Sequence, residues 1–291
     1  MNRWKINICA FCALALFYMI SVTESYAATD RAQQAGLIPH KALYDIRMKS
    51  KKSNSKVSNI HGKMMYKWQP SCDSWLTDYQ FDMVYEYIET PSVHIKSDFS
   101  SHESFDGKTF NFVSSRKAAD VILDEIQGSI ADADKNTPAK AIYKKPTPME
   151  FDLPENTVYP MAHTLGVLNS IKENKMFYNV PLFDGSDENG PVDVNTFIGK
   201  GDKYIIPEDA KEHIDSGLIN TKAWNVRIAF FPLNQYNVLS DYEMTLLFHE
   251  NGVISDVVID YDDFSVSQKL IAVEPLESLC TNTTDKKTNN Q

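Results

Sequence analysis

The chain has 291 residues, is 43% hydrophobic and 11% aromatic, and carries a formal net charge of −10. An acidic surplus of this size speaks against steering toward nucleic acid or anionic lipid headgroups, and it favours solubility. The length suits one large β-domain or two small ones.

The opening MNRWKINICAFCALALFYMISVTESYAATD sets Arg3 and Lys5 before an apolar run from Ile6 to Ile20, followed by Ser25-Tyr26-Ala27. Basic, apolar and small residues in that order predict a secretory signal peptide over 1–27, with cleavage after Ala27. The run is shorter than the roughly 20 residues a membrane-spanning helix needs, and no later segment approaches that length, so the mature chain is expected to lack a transmembrane segment. Removing the peptide takes away Arg3, Lys5 and Glu24, a charge of +1, and leaves −11. It also removes Cys9 and Cys12, leaving Cys72 and Cys280. An even count in an exported chain reads as one intramolecular disulfide, closing a loop of about 208 residues that is worth roughly 5 kcal/mol in the chain-entropy picture. Zinc ligation and a nucleophilic thiol are the competing readings, and neither cysteine has a Cys-x-x-Cys or Cys-His neighbour to support them.

After a linker at 28–36, most of the pattern has period two, the mark of half-buried strands. HKALYDIRM, GKMMYKW and DYQFDMVYEYI read as strands, and a hairpin is expected at Asp106-Gly107 between VHIKSDFSSHESF and KTFNFVSS. ADVILDEI follows as a further strand. YPMAHTLGVLNSIKENKMF carries Met161, Leu165, Leu168 and Ile171 or Lys172 at three-to-four spacing, with Pro160 suited to a first helical position, so it predicts a helix wide enough in its apolar stripe to plug or line a curved sheet. IPEDAKEHIDSGL predicts a second helix, with Glu208 and Asp209 near its start and Gly217 ending it. WNVRIAFF puts Trp224, Val226, Ile228 and Phe230 on one face. In DYEMTLLFHENGVISDVVIDY two alternating runs flank Asn251-Gly252, which predicts a two-residue hairpin pairing Phe248 with Ser255, Leu246 with Val257, Met244 with Ile259 and Glu243 with Asp260. TNTTDKKTNNQ at 281–291 reads as a disordered polar tail. Short strands joined by short turns make an antiparallel, mainly β domain over 37–280.

Motifs for chemistry are scarce. Gly-x-Ser-x-Gly, His-Glu-x-x-His and a glycine-rich phosphate loop are all missing. His94, Asp98 and His102 would share one face of a strand, but residues four apart there are rooted roughly 13 Å apart, too far for one metal. LFDGSDENGPVD invites calcium, yet counting from Asp184 the sixth position is Asn189 and the twelfth Asn195, where that loop needs glycine and glutamate. A turn between strands explains the same letters. His163 reads as a satisfied helix side chain, and the acids of IDYDDF and DGSDE as solvated edges and turns. No catalytic, cofactor-binding or metal-ligating residue is therefore assigned, and no cofactor is expected.

Taken together, LIPHKALYDIRM, GKMMYKWQPSCDSW, VYPMAHTLGVL, LFDGSDENG, LLFHENGVISDVVIDYDDFSV and the closing ESLC resemble the successive signatures of EipB-like periplasmic proteins, from about Leu37 to Cys280. Trp75 and Leu76 depart from that family's frequent Gly-Tyr pair. The resemblance implies a non-enzymatic periplasmic protein concerned with cell envelope integrity. It implies an antiparallel β-spiral, an overwound open sheet similar to Lol-type lipoprotein carriers, with one disulfide between Cys72 and Cys280. On this reading the bond pins the last turn of an unclosed spiral, and the partner is an envelope lipid, lipoprotein or periplasmic protein held on a concave apolar surface. An envelope hydrolase with a carboxylate or His-acid pair is the alternative from another class.

Overall fold

A computed structural model of the protein describes residues 36–119, 121–131, 139–204, 206, 212–233 and 239–280. The expected signal peptide, all of the linker except Gly36, and the polar tail lie outside the described residues. The elements in chain order are β1 (His40–Lys51), β2 (Val57–Pro70), β3 (Ser74–Tyr87), β4 (Val93–Ser104), β5 (Phe110–Ala118), β6 (Val121–Ala131), β7 (Lys140–Lys145), β8 (Met149–Asp152), α1 (Pro160–Lys172), β9 (Phe177–Leu182), β10 (Val192–Lys203), α2 (Ser216–Ile219), β11 (Lys222–Pro232), β12 (Tyr242–His249), β13 (Ile254–Asp260) and β14 (Phe264–Pro275).

The strands make one antiparallel sheet in the order β8-β7-β6-β5-β4-β3-β2-β1-β14-β13-β12-β11-β10-β9. The mainly β class with two short helices is the one the alternation predicts. Laid flat at about 4.8 Å per strand, such a sheet would be over 60 Å wide. It is curled instead, because its two edges are tied by one short segment. Leu153, just past β8, donates its N–H to the carbonyl of Ala139, and Val158 then donates to Pro181 and accepts from Phe183 at the end of β9. The few residues between reach at most about 20 Å. Inward-facing side chains from both halves therefore meet in the interior, where Trp68, Val226, Leu246 and Val257 share one cluster and Tyr44, Ile60, Met83 and Leu270 another.

Antiparallel pairing throughout sends successive turns to opposite rims. One rim carries the turns β1–β2, β3–β4, β5–β6, β7–β8, β9–β10 and β13–β14; we call it the turn rim. The other carries the β2–β3, β4–β5 and β12–β13 turns, both helices and the ends of the described chain; we call it the helix rim.

The β12–β13 hairpin keeps the expected register from Glu243–Asp260 to Leu247–Asp256, then shifts so that Phe248 opposes Ile254 and Ser255 is left out of the ladder. The two-residue turn is corrected accordingly. Gly252 donates to the carbonyl of His249, so Glu250 and Asn251 are the turn's central residues, and only Gly252 lies at positive φ, +88°. That is a three-residue loop with a glycine bulge. Asn251 stays out of the left-handed region because its buried amide is committed, donating to Leu218 and accepting from Val253.

The helix α1 begins at Pro160 as expected and buries Met161, Val167 and Leu168. Of the helix that IPEDAKEHIDSGL predicts, the described residues show only the turn Ser216–Ile219 as helical. Residues 207–211 lie outside the described residues, and Ile214 bridges to Val273 of β14 instead of joining a helix. Gly217 sits inside α2, whose first turn is capped by Asp215 accepting from its N–H at 2.7 Å. Burial of Ile214 against β14 outweighs the local helical preference.

Cys72, in the β2–β3 turn, is joined to Cys280, beyond β14, with Cα atoms 4.8 Å apart. Leu279 and Ser278 both donate to the Pro70 carbonyl, and the Gln69 side chain donates to Glu277. The bond crosses the middle of the sheet, spanning β1, so the expected role of pinning a free end is corrected. The first and last strands pair with each other, and the free edges β8 and β9 come from the middle of the chain.

Candidate functional site

The pleat sends alternate residues inward, and that alone aligns Met64, Tyr66 and Trp68 on β2, Tyr79 and Phe81 on β3, and Met244, Leu246 and Phe248 on β12. With Tyr44, Val257, Ile259 and Gln268 they surround a cavity of about 220 Å³, completed by Leu37, Ile254 and Gly252 and by Met161 and Thr164 of α1. None of the described residues lining it carries a formal charge.

Its polar groups are neutral and mostly engaged. The Tyr44 hydroxyl donates to the Ile254 carbonyl at 2.7 Å. Thr164 donates to the Pro160 carbonyl within its helix. Tyr66 and Tyr79 are hydrogen-bonded to each other, with ring centroids 4.9 Å apart. Burial pushes the Tyr79 phenol up to about 12 and those of Tyr44 and Tyr66 above the usual range, so all three stay protonated. An apolar hollow with a few hydroxyls and one amide suits an aliphatic or aromatic group, and it offers no counter-charge to an ion.

The helical wall is held by a residue that the sequence does not single out. Glu103, at the end of β4 and 2% exposed, accepts from the backbone N–H groups of Met161 and Ala162, each at 2.8 Å. Those are orphan donors at the start of α1, whose N-cap residue Tyr159 makes no side-chain cap. Burial raises the Glu103 carboxyl to about 7, against the lowering effect of the two amides. Sequence reading misses it because capping residues are sought next to the helix, whereas this one lies 58 residues upstream.

His163 is buried on α1 with Nε2 3.2 Å from the Thr196 hydroxyl, and burial lowers its pKa to about 4. His40 is fully buried against the Tyr66 and Trp68 rings and is lowered to about 4 in the same way. His94, Asp98 and His102 fall on the outward face of β4; His94 meets Asp82 of β3. The LFDGSDENG stretch does connect β9 to β10, but it is more than a solvated turn. Phe183 is fully buried between Phe110, Phe112 and Tyr143, the Tyr143 hydroxyl donates to the Asp187 carbonyl, and burial raises the Asp184 carboxyl. The loop thus reaches from the β9 edge across to β7. No helix among the described residues is long and apolar enough to cross a membrane.

Three comparisons place this geometry among known proteins. The chain is 27% identical over 249 residues to the "Cell envelope integrity protein EipB" of Brucella abortus (strain 2308), covering 85% of this chain and 87% of that protein. It is similar, at a TM-score of 0.75 and 23% identity, to a crystal structure from Brucella abortus described as a beta-barrel-like protein of domain of unknown function DUF1849, covering 83% of this chain and 99% of that one. The second likeness speaks for the fold. The family model described as EipB-like matches residues 31–277, which hold the whole of the sheet and both helices, and the chain accordingly belongs to the EipB-like family.

Proposed function

We propose that this protein is a non-enzymatic periplasmic factor that supports cell envelope integrity by holding an apolar chain of a lipid or lipoprotein in the interior of its curled sheet. The observation that carries the reading is the cavity of about 220 Å³, walled by Tyr44, Met64, Phe81, Leu246 and Ile259 and free of charged lining residues. Its size admits a short stretch of one acyl chain rather than a whole lipid. The name of the Brucella abortus relative supports the envelope role. Export to the periplasm is supported by the basic, apolar and small residues of the first 27 positions.

The test is native mass spectrometry of protein purified from periplasm, with and without Thr164→Trp, which extends a large ring from α1 into the hollow. The wild type is expected to carry a lipid-sized adduct that the variant has lost, while the two melt within a few degrees of each other. A wild-type protein free of adducts, and unable to take up a fluorescent fatty acid after delipidation, would overturn the proposal.

A further inference from the structure

The acidic total hides an uneven turn rim. The β1–β2 turn reads KSKKSNSK over 49–56, placing Lys49, Lys51, Lys52 and Lys56 in eight residues with no acid among them, all exposed. Lys52 pairs with Asp262 at 2.9 Å. At the far end of the same run of strands, the β7–β8 turn exposes Lys144 and Lys145, the latter paired with Glu125.

The turns between them expose apolar side chains, with Glu89 as an exposed acid in the β3–β4 turn. Ile88, after β3, is 61% exposed; Val121, Ile122 and Leu123, at the start of β6, are 65%, 52% and 49% exposed. Single exposed apolar residues are ordinary. Three in succession on a strand are not, because the pleat would normally bury alternate ones. Here β7 pairs only with Gln127 to Ala131, so this half of β6 lies beyond its neighbour, and a register shift beside it leaves Leu123 out of the pairing with β5.

We propose that the β1–β8 half of the turn rim is a docking surface for an anionic phospholipid bilayer. Ile88, Val121 and Ile122 enter the headgroup layer while the lysines on either side meet lipid phosphates. Neither the apolar residues nor the lysines alone hold a protein to a membrane durably; together they supply the two signals that stable attachment requires. The acids nearest the lysine turn are Asp262 and Asp263 of the adjoining β13–β14 turn, where Asp262 pairs with Lys52 and Asp263 accepts from the Ser55 hydroxyl, which leaves Lys49, Lys51 and Lys56 for lipid phosphates; Asp241 lies farther round, beyond β13. At physiological salt the repulsion of more distant acids is screened beyond about 8 Å, so the three remaining lysines govern the local contact even though the whole molecule is acidic. This inference stands whether or not the cavity holds a chain.

Flotation of the exported full-length protein with unilamellar vesicles tests it. The protein is expected to float with vesicles of equal phosphatidylglycerol and phosphatidylcholine at low salt, to stay behind with pure phosphatidylcholine, and to be released as salt is raised. Replacing Lys49, Lys51 and Lys56 with Gln is expected to weaken binding about fivefold for each lysine, on the order of a hundredfold together. Val121→Ser with Ile122→Ser is expected to weaken it at every salt concentration, with melting temperature unchanged in both variants. Failure to float with phosphatidylglycerol, or binding indifferent to both sets of substitutions, would overturn the proposal. So would a rim whose substitutions leave flotation intact and abolish only the capture of an acidic protein.

Discussion

Glu103 shows how one side chain can join two parts of the molecule. Its carboxylate serves the start of α1, and α1 in turn supplies Met161 and Thr164 to the cavity. Its native pKa, about 7, is raised above the ordinary 4.5, so its proton stabilises the fold fully below 4.5, and that stabilisation is lost as pH rises through 7. His40, His163 and His249 act in the opposite sense. Each is lowered by burial from 6.5 to about 4, so the stability they contribute is present above 6.5 and is lost as pH falls through 4. Asp184 and Asp256, also raised by burial, act in the same sense as Glu103, so three histidines are set against three carboxyls, and each carboxyl softens the fall in melting temperature that the histidines impose between pH 6.5 and 4. In Glu103→Gln the compensating proton is gone, so the fall is expected to be steeper, by up to about 1.4 kcal/mol per pH unit where Glu103 would have been titrating. Parallel melting curves for the two proteins across this range would show that Glu103 takes up no proton.

At the scale of the element, the β12–β13 hairpin depends on a single backbone conformation. Gly252 at φ +88° lets the loop turn back while Asn251 stays tied to Leu218, and a Cβ there would lie 2.5 Å from the end of the Leu37 side chain. Gly252→Ala is therefore expected to cost about 1–2 kcal/mol, the left-handed penalty of an L-residue, as read by urea unfolding. An unchanged midpoint would mean that the loop reaches the same end by another geometry. This hairpin was legible almost entirely: Leu246 faces Val257 and Met244 faces Ile259, because alternation and a glycine turn are local signals. The break at Ile214 in the second predicted helix was not, because its pairing with Val273 brings together residues nearly sixty positions apart. Strands β7, β8 and β9, of 6, 4 and 6 residues, are too short to show a clear period.

At the scale of the whole molecule, the link between Cys72 and Cys280 closes a loop of 208 residues that contains nearly every strand. In the chain-entropy picture its loss costs up to about 5 kcal/mol, and ordinarily less. Differential scanning calorimetry is expected to show the melting temperature of the oxidised protein dropping by roughly 10 °C with reductant, and Cys72→Ser melting at the lower temperature regardless of reductant. Equal melting of the wild type in both conditions would mean that the pairing of β1 with β14, together with the Gln69, Ser278 and Leu279 hydrogen bonds, already holds this region without the bond.

By itself the sequence determined what local periodicity can carry: a mainly β chain, a helix starting at Pro160, hairpins at glycine turns, and the two cysteines Cys72 and Cys280 within the β-domain. Tertiary structure decided what distance along the chain conceals. The first strand lies beside the last, the free edges come from the chain's middle, a glutamate on β4 caps a helix 58 residues later, and lysines and apolar turns from separate hairpins gather on one rim. The physical reason is that alternation records which face of a strand is buried, whereas the identity of a strand's neighbour is settled only when the whole sheet curls and its inward faces find one another.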